Sequence, residues 1–124
     1  MSYDPTTISA GTYTPVLTNV ANISASTAYP CQYSRVGNTV TVSGKVDIDA
    51  TLAASTASEL GLSLPIASNF ATTQQCGGAG AAAVVASQTL EVRADVANDR
   101  ASLTFLSLSL TNDTWYFTFT YLII

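Results

Sequence analysis

Alternation of apolar and polar residues is the feature that most constrains the fold of this chain. It is clearest in residues 39–49, where every second position is Val, Gly or Ile and the positions between are polar. Such a period of two places the apolar side chains on one face of an extended strand. No segment shows the i, i+3, i+4, i+7 apolar spacing of an amphipathic helix. The pattern therefore predicts an all-β protein with almost no helix.

A hairpin is predicted immediately before residue 39. Gly37 and Asn38 both tolerate the positive φ of a two-residue turn, and residues 28–36 form the preceding strand. Cys31 and Tyr33 would share a face with Tyr29 and the valines of the next strand. The register imposed by this turn pairs Val36 with Thr39, Tyr33 with Val42, Cys31 with Gly44 and Tyr29 with Val46.

Further strands are predicted along the rest of the chain. Residues 90–96 alternate and turn at Asn98-Asp99 into residues 101–106, and residues 79–86 pair before them around a turn at Ser87-Gln88. Residues 114–124 are apolar on both faces, which indicates a central strand or one that faces a neighbouring subunit.

Together with residues 11–18 and 60–64, these segments give about eight antiparallel strands. We expect a jelly-roll-like β-sandwich. Residues 11–124 would form one β-sandwich domain, and residues 1–10, which show no periodicity, would form an N-terminal arm.

Charge excludes several classes of function. The chain has 4 Lys and Arg against 8 Asp and Glu, no His and a net charge of -4. Four cations cannot neutralise a nucleic-acid backbone, so no nucleic-acid partner is expected. Because the chain has no His, catalysis by His and metal sites with His ligands are also excluded. The sequence has neither an apolar run of membrane-span length nor an export signal, so we expect synthesis in the cytosol and no membrane partner.

Two groups of acidic residues are candidate chemical sites. Asp47 and Asp49 lie on the outer face of one strand, as an acid-base pair or as a solvated strand end. Asp95, Asn98 and Asp99 supply oxygen ligands for a cation, yet Asn and Asp are also the usual turn residues. The ordinary structural explanation is favoured in both cases. The sequence therefore predicts no enzyme activity, no catalytic residue, no cofactor and no metal.

Two cysteines leave an alternative open. Cys31 occupies a core-facing strand position, and Cys76 lies in a Gly-flanked loop able to reach it, so a disulfide is one interpretation. Buried free thiols are the other, which cytosolic synthesis favours.

A weakly charged, apolar exterior predicts a homo-oligomer. Only 10% of the residues are charged, whereas 48% are hydrophobic, and self-association would cover the excess apolar surface. A trimer is favoured. The residues predicted at the interface are Tyr3 and Pro5 in the arm and Trp115 and Tyr116 in the last strand. Aromatic residues of that strand are also candidates for stacking on sugars, although burial is favoured.

Five segments resemble a β-rich domain of tailed-bacteriophage virion surface proteins. The domain is found at the C-terminal ends of tail-fibre proteins and as small free-standing proteins. The segments are GTYTPVLTNV at 11–20, YSRVGNTVTVSGK at 33–45, LGLSLPIASNF at 60–70, NDRASLTF at 98–105 and YFTFTY at 116–121.

The resemblance implies an oligomeric, non-enzymatic virion structural protein, made in the bacterial host cytoplasm and located on the particle. The short segment before residue 11 favours a decoration or cement protein bound to other virion proteins, such as the major capsid protein. The alternative is a receptor-binding tip or spike domain of a tail fibre, which would recognise host saccharide through Tyr, Asn and Asp on exposed loops.

Overall fold

The protein is all-β. The computed structural model describes residues 7–53, 55–85 and 87–124. Within those ranges the one helical element is a 3₁₀ turn at Thr73–Gln75. The ten strands are β1 (Ile8–Tyr13), β2 (Leu17–Ala21), β3 (Ile23–Ala28), β4 (Cys31–Val36), β5 (Thr39–Ala50), β6 (Thr56–Leu62), β7 (Cys76–Ala82), β8 (Thr89–Asp95), β9 (Arg100–Ser107) and β10 (Asp113–Leu122).

All ten strands belong to one antiparallel, curled sheet. Nine follow the order β1-β4-β5-β10-β7-β8-β9-β6-β2, and β3 pairs with β5. The twelve-residue β5 is long enough to pair with β4 near its start and with β3 near its end. The curl brings β2 back to β3, where the Ser26 hydroxyl donates to Asn19 Oδ1 at 2.6 Å. The predicted all-β, sandwich-like class is confirmed, with ten strands instead of about eight.

One of the two additional strands arises at a proline, and the other was not predicted. The predicted strand 11–18 is interrupted around Pro15, which separates β1 from β2. The predicted strand 28–36 corresponds to β4, while β3 lies before it, overlaps it only at Ala28 and is separated from β4 by Tyr29-Pro30. Proline has no N–H to contribute to a ladder, so a strand tends to break where it occurs.

The hairpin of β4 and β5 forms as predicted. Gly37 has φ 60°, and the ladder pairs Val36 with Thr39 and Tyr33 with Val42. The predicted pairing of Tyr29 with Val46 is wrong, because Ala28 occupies that position. The interruption at Pro30 shifts the register by one residue, which turns Tyr29 to the outer face of the sheet.

The core lies inside the curl and centres on β10. This strand pairs with β5 on one side and β7 on the other, which confirms its predicted central position. Its inner side chains are buried, and Trp115 packs on Phe105 with ring centroids 4.5 Å apart. Its outer face is open in the single chain, where Tyr116 is 56% exposed.

Glycines in β7 allow the backbone of β10 to approach closely. Gly78 pairs with Phe119, and a Cβ atom at Gly78 would lie 2.1 Å from the carbonyl oxygen of Thr118. Its neighbour Gly77 lies on the outer face, where a Cβ would meet nothing within 4 Å. Only the inward-facing glycine of this pair is required by packing.

Two predicted boundaries are wrong. Residues 8–10, predicted as part of the arm, belong to β1, which pairs with β4. Cys76, predicted in a loop, is the first residue of β7. Tyr3 and Pro5 lie outside the described residues.

Candidate functional site

An uncharged surface extends over the outer face of β1, β4, the first half of β5 and the second half of β10. We call it the neutral face. Cross-strand pairing places its residues side by side, and each is exposed. It consists of Ile8, Ala10, Thr12, Gln32, Ser34, Val36, Thr39, Thr41, Ser43, Thr118, Thr120 and Leu122.

Aliphatic side chains are concentrated along one end of the neutral face. Ile8 pairs with Val36, Val36 with Thr39, and Thr39 with Leu122, so these residues form one row across four strands. Ile8 is 71% exposed, Val36 52% and Leu122 42%. A row of aliphatic groups in water is unfavourable unless another surface covers it.

A shallow groove of about 370 Å³ adjoins the neutral face at its other end. Gln32, Ser43, Lys45 and Tyr116 are among its lining residues. A second groove, of about 540 Å³, shares Gln32 and Ser43 with it and continues toward Thr12 on β1. We call the first of these the Tyr116 groove.

The side of the Tyr116 groove is held by a small polar arrangement. Lys45 Nζ lies 4.7 Å from the centre of the Tyr29 ring, and the Tyr29 hydroxyl donates to Asp47 Oδ2 at 2.7 Å. This hydrogen bond to Asp47 is the main reason that the pKa of Tyr29 is raised. Thr114 donates to the other oxygen of Asp47 at 2.7 Å. The arrangement fixes Lys45 at the rim of the groove.

The acidic pair predicted in β5 is engaged in structural contacts. Both oxygens of Asp47 accept hydrogen bonds as described, and Asp49 Oδ1 accepts one from the Asn112 side-chain amide. Neither carboxylate faces an acid-base partner among these contacts. These hydrogen bonds tie the end of β5 to neighbouring segments, which is a structural role.

The residues weighed as a cation site instead order a turn. Asp95 accepts hydrogen bonds from Asn98 and from Arg100 Nε, the latter at 2.9 Å. Partial burial opposes ionisation of Asp95, but these hydrogen bonds outweigh it and lower its pKa. Asp99 has φ 54° and accepts from the backbone N–H of Phe70 at 2.9 Å. In the described parts of the chain, no three His, Cys, Asp or Glu side chains are grouped as metal ligands.

A polar network on the outer face of β6, β8 and β9 was not predicted from the sequence. Glu91 on β8 pairs with Arg93 and accepts from Thr104, and Ser102 donates to Glu59 at 2.8 Å. The hydrogen bond from Arg93 is the main cause of the lowered pKa of Glu91. Glu91 and Arg93 are neighbours on the outer face of one strand, but Thr104 and Ser102 reach Glu91 and Glu59 only because β8, β9 and β6 are adjacent in the sheet. Arg93 neutralises Glu91, whereas Glu59 is bonded by the uncharged Ser102 hydroxyl.

Both cysteines are buried free thiols, so the structure contains no disulfide between them. Burial raises the pKa of Cys76 to about 12 and also raises that of Cys31. Nearby, the Tyr121 hydroxyl donates to the Ile66 carbonyl at 2.7 Å, and burial is the main cause that raises its pKa to about 12. These groups are buried and neutral. A reactive cysteine requires an accessible thiolate, so the two thiols are core residues and not nucleophiles.

The predicted interface residues of β10 point in opposite directions. Trp115 is 1% exposed inside the curl of its own chain, so a partner has no access to it. Tyr116, the next residue, is exposed in the Tyr116 groove. Strand alternation causes the difference.

No protein-family model, curated protein or solved structure matches the chain. In the portion described here, no helix is both long and apolar enough to cross a bilayer.

Proposed function

We propose that this chain is a non-enzymatic structural protein of a tailed-bacteriophage particle, an oligomer that decorates the capsid surface. The neutral face is the observation that supports the proposal. It offers hydroxyl, amide and aliphatic groups without a charged side chain, and its largest aliphatic groups form one exposed row.

The composition of the neutral face is better suited to burial in a permanent protein interface than to exposure to solvent. Burial of apolar area contributes about 25 cal/mol per Å². Depletion of charge is the compositional mark of an interface core. Ser and Thr hydroxyls both donate and accept, so they can pair with another protein backbone without an ionic partner. A decoration protein that covers sister copies or a shell would use these properties together.

Copy number on purified phage particles tests the proposal. Quantitative mass spectrometry of virions that carry this chain should find it in many copies per particle, and a particle map should place it on the head. A few copies at the tail, or absence from the virion, would contradict decoration. Thr41→Glu, which adds a charge at the centre of the neutral face, should reduce occupancy on the particle. Thr89→Glu adds the same charge to the outer face of β8 and serves as the matched control.

A second candidate function is supported by the Tyr116 groove. An exposed aromatic ring beside Gln32, Ser43 and Lys45 is the kind of surface that stacks on a sugar ring and bonds its hydroxyls. The alternative is therefore a receptor-binding tip or spike domain that recognises host saccharide at this groove.

Glycan-array binding separates the two functions. If the groove binds saccharide, the purified chain should bind a subset of bacterial glycans, and Tyr116→Ala should abolish that binding. Thr118→Ala, the next outward residue on β10, should bind as the unmodified chain does. Equal binding by both variants would exclude the groove as the saccharide site.

A further inference from the structure

Strand β1 is an open edge of the sheet. It pairs with β4 on one side and begins the strand order. The opposite end of the order is different, since β2 curls back against β3, where Ser26 bonds Asn19. Among the described residues, no strand pairs with the other side of β1.

The hydrogen-bonding groups at this edge can be identified from the ladder. Gly37 N–H donates to the Thr7 carbonyl at 2.8 Å, so Thr7 points its backbone groups toward β4. In an antiparallel pair this orientation alternates, so Ser9 and Gly11 also bond β4, and the intervening residues point their groups outward. Those residues are Ile8, Ala10 and Thr12. No described group is recorded as a partner for their outward N–H and C=O groups.

The usual protections of an edge strand are missing from β1. Proteins guard such edges with Lys, Pro, bulges or inward-pointing charges. Within Ile8–Tyr13 there is no charged residue and no proline, and its register with β4 runs without a shift. This edge is competent to accept another strand.

We propose that β1 pairs antiparallel with β1 of a second copy of this chain, joining the two sheets about a two-fold axis at Ala10. The outward groups are symmetric about Ala10, so Ala10 would exchange bonds with Ala10 of the second copy, and Ile8 with its Thr12. A neutral strand meets its own copy without repulsion, and the small residues Ser9 and Gly11 flank the axis. The neutral face of one copy would continue into that of the other, which extends the surface on which the proposed function rests.

Cysteine cross-linking tests the register. Directly opposite residues of a hydrogen-bonded antiparallel pair have Cα atoms about 5.5 Å apart, within the range for a disulfide. Ala10→Cys should therefore form a covalent dimer under mild oxidation. Thr12→Cys is the matched control, because its symmetry mate would be about 13 Å away along the strand, and it should stay unlinked. The native Cys31 and Cys76 are buried and should not interfere.

Sedimentation of a proline variant tests the backbone bonds. Ala10→Pro removes an outward N–H, which the monomer does not use, so the sheet should remain folded. Two hydrogen bonds would be lost per dimer, and dissociation should become at least about tenfold easier. Ala10→Ser keeps the N–H and should leave the dimer unchanged.

Several results would overturn the inference. They are a monomeric or trimeric unmodified protein, a dimer in which Ala10→Cys fails to cross-link, and equal cross-linking of Thr12→Cys. An unchanged dissociation constant in folded Ala10→Pro would also overturn it while leaving the decoration function intact. A β1-linked dimer that is absent from virions would contradict the function but not the strand pairing. Should Ala10→Pro unfold, the cross-linking result decides.

Discussion

The glycines of β7 give a sharp test of packing. Gly77→Ala and Gly78→Ala make the same chemical change at adjacent residues of one strand. At Gly78 the new methyl would lie 2.1 Å from the Thr118 carbonyl oxygen and 2.6 Å from Phe119 Cα. Both contacts are with backbone, which cannot move aside as a flexible side chain can. At Gly77 the methyl would project into open space.

The difference in stability follows from these contacts. Replacing Gly by Ala stabilises a strand by about 0.4–1 kcal/mol through the entropy of the unfolded chain, and that contribution is common to both variants. Overpacking costs about 1–3 kcal/mol and applies only to Gly78→Ala. We therefore expect Gly78→Ala to be less stable than Gly77→Ala by about 1–3 kcal/mol, with a melting temperature lower by about 3–10 °C.

Urea unfolding provides the measurement. Trp115 is the one tryptophan of the chain and is 1% exposed, so its fluorescence reports directly on the core around β10. Gly77→Ala should unfold at the same or a higher urea concentration than the unmodified protein, and Gly78→Ala at a lower one. Equal midpoints for the two variants would refute the close packing of β7 against Phe119.

Three further predictions concern buried and half-buried polar groups. Burial raises the pKa of Cys76 and Tyr121 to about 12 from ordinary values of 9.0 and 10.0. The unfolded chain thus loses these protons first, so stability is full below about pH 9 and falls toward pH 12 by up to about 1.4 kcal/mol per pH unit for each group. Urea midpoints between pH 8 and 11 should show the fall, and Cys76→Ala should make it shallower; a flat profile would contradict the burial. Asp113 accepts hydrogen bonds from Val84 N–H at 2.9 Å and Val85 N–H at 3.1 Å, so Asp113→Ala should cost about 1–3 kcal/mol in thermal unfolding, and an unchanged melting temperature would exclude this role. Asn22, at φ 56°, donates to Ser58 and Ser107 and accepts from Leu52 N–H; Asn22→Ala should cost about 2–3 kcal/mol in the same assay, and a loss below 0.5 kcal/mol would count against it.

Local chemistry determined which parts of the fold were predictable. The β4–β5 hairpin depends on Gly37-Asn38 and on alternation within a few residues, and its register came out as predicted up to Tyr33. The error at Tyr29 begins where Pro30 interrupts the ladder, and alternation alone does not show how the register resumes after such a break. Small polar residues in β1 and β3 carry little periodic signal, so Ile8–Ala10 looked like an arm.

The surface was less predictable than the core. Exposure of Tyr116 and burial of Trp115 follow from alternation once the inner face of β10 is known. The sequence left that face undecided, because both sides of the strand are apolar. The neutral face combines residues from both ends of the chain, which become neighbours only through the pairing of β10 with β5. No spacing within a single segment indicates such a surface.

The central position of β10 has a consequence for a cleaved form of this protein. Residues 108–112 connect β9 to β10, and β10 is hydrogen-bonded to β5 along Asp113–Leu122 and to β7 along Trp115–Tyr121. If the backbone were cleaved in this connection, β10 would stay hydrogen-bonded between β5 and β7 as a noncovalently bound peptide. Without β10, the rest of the chain would expose the unpaired edges of β5 and β7 and should therefore aggregate. Addition of a peptide of residues 113–124 should restore its solubility.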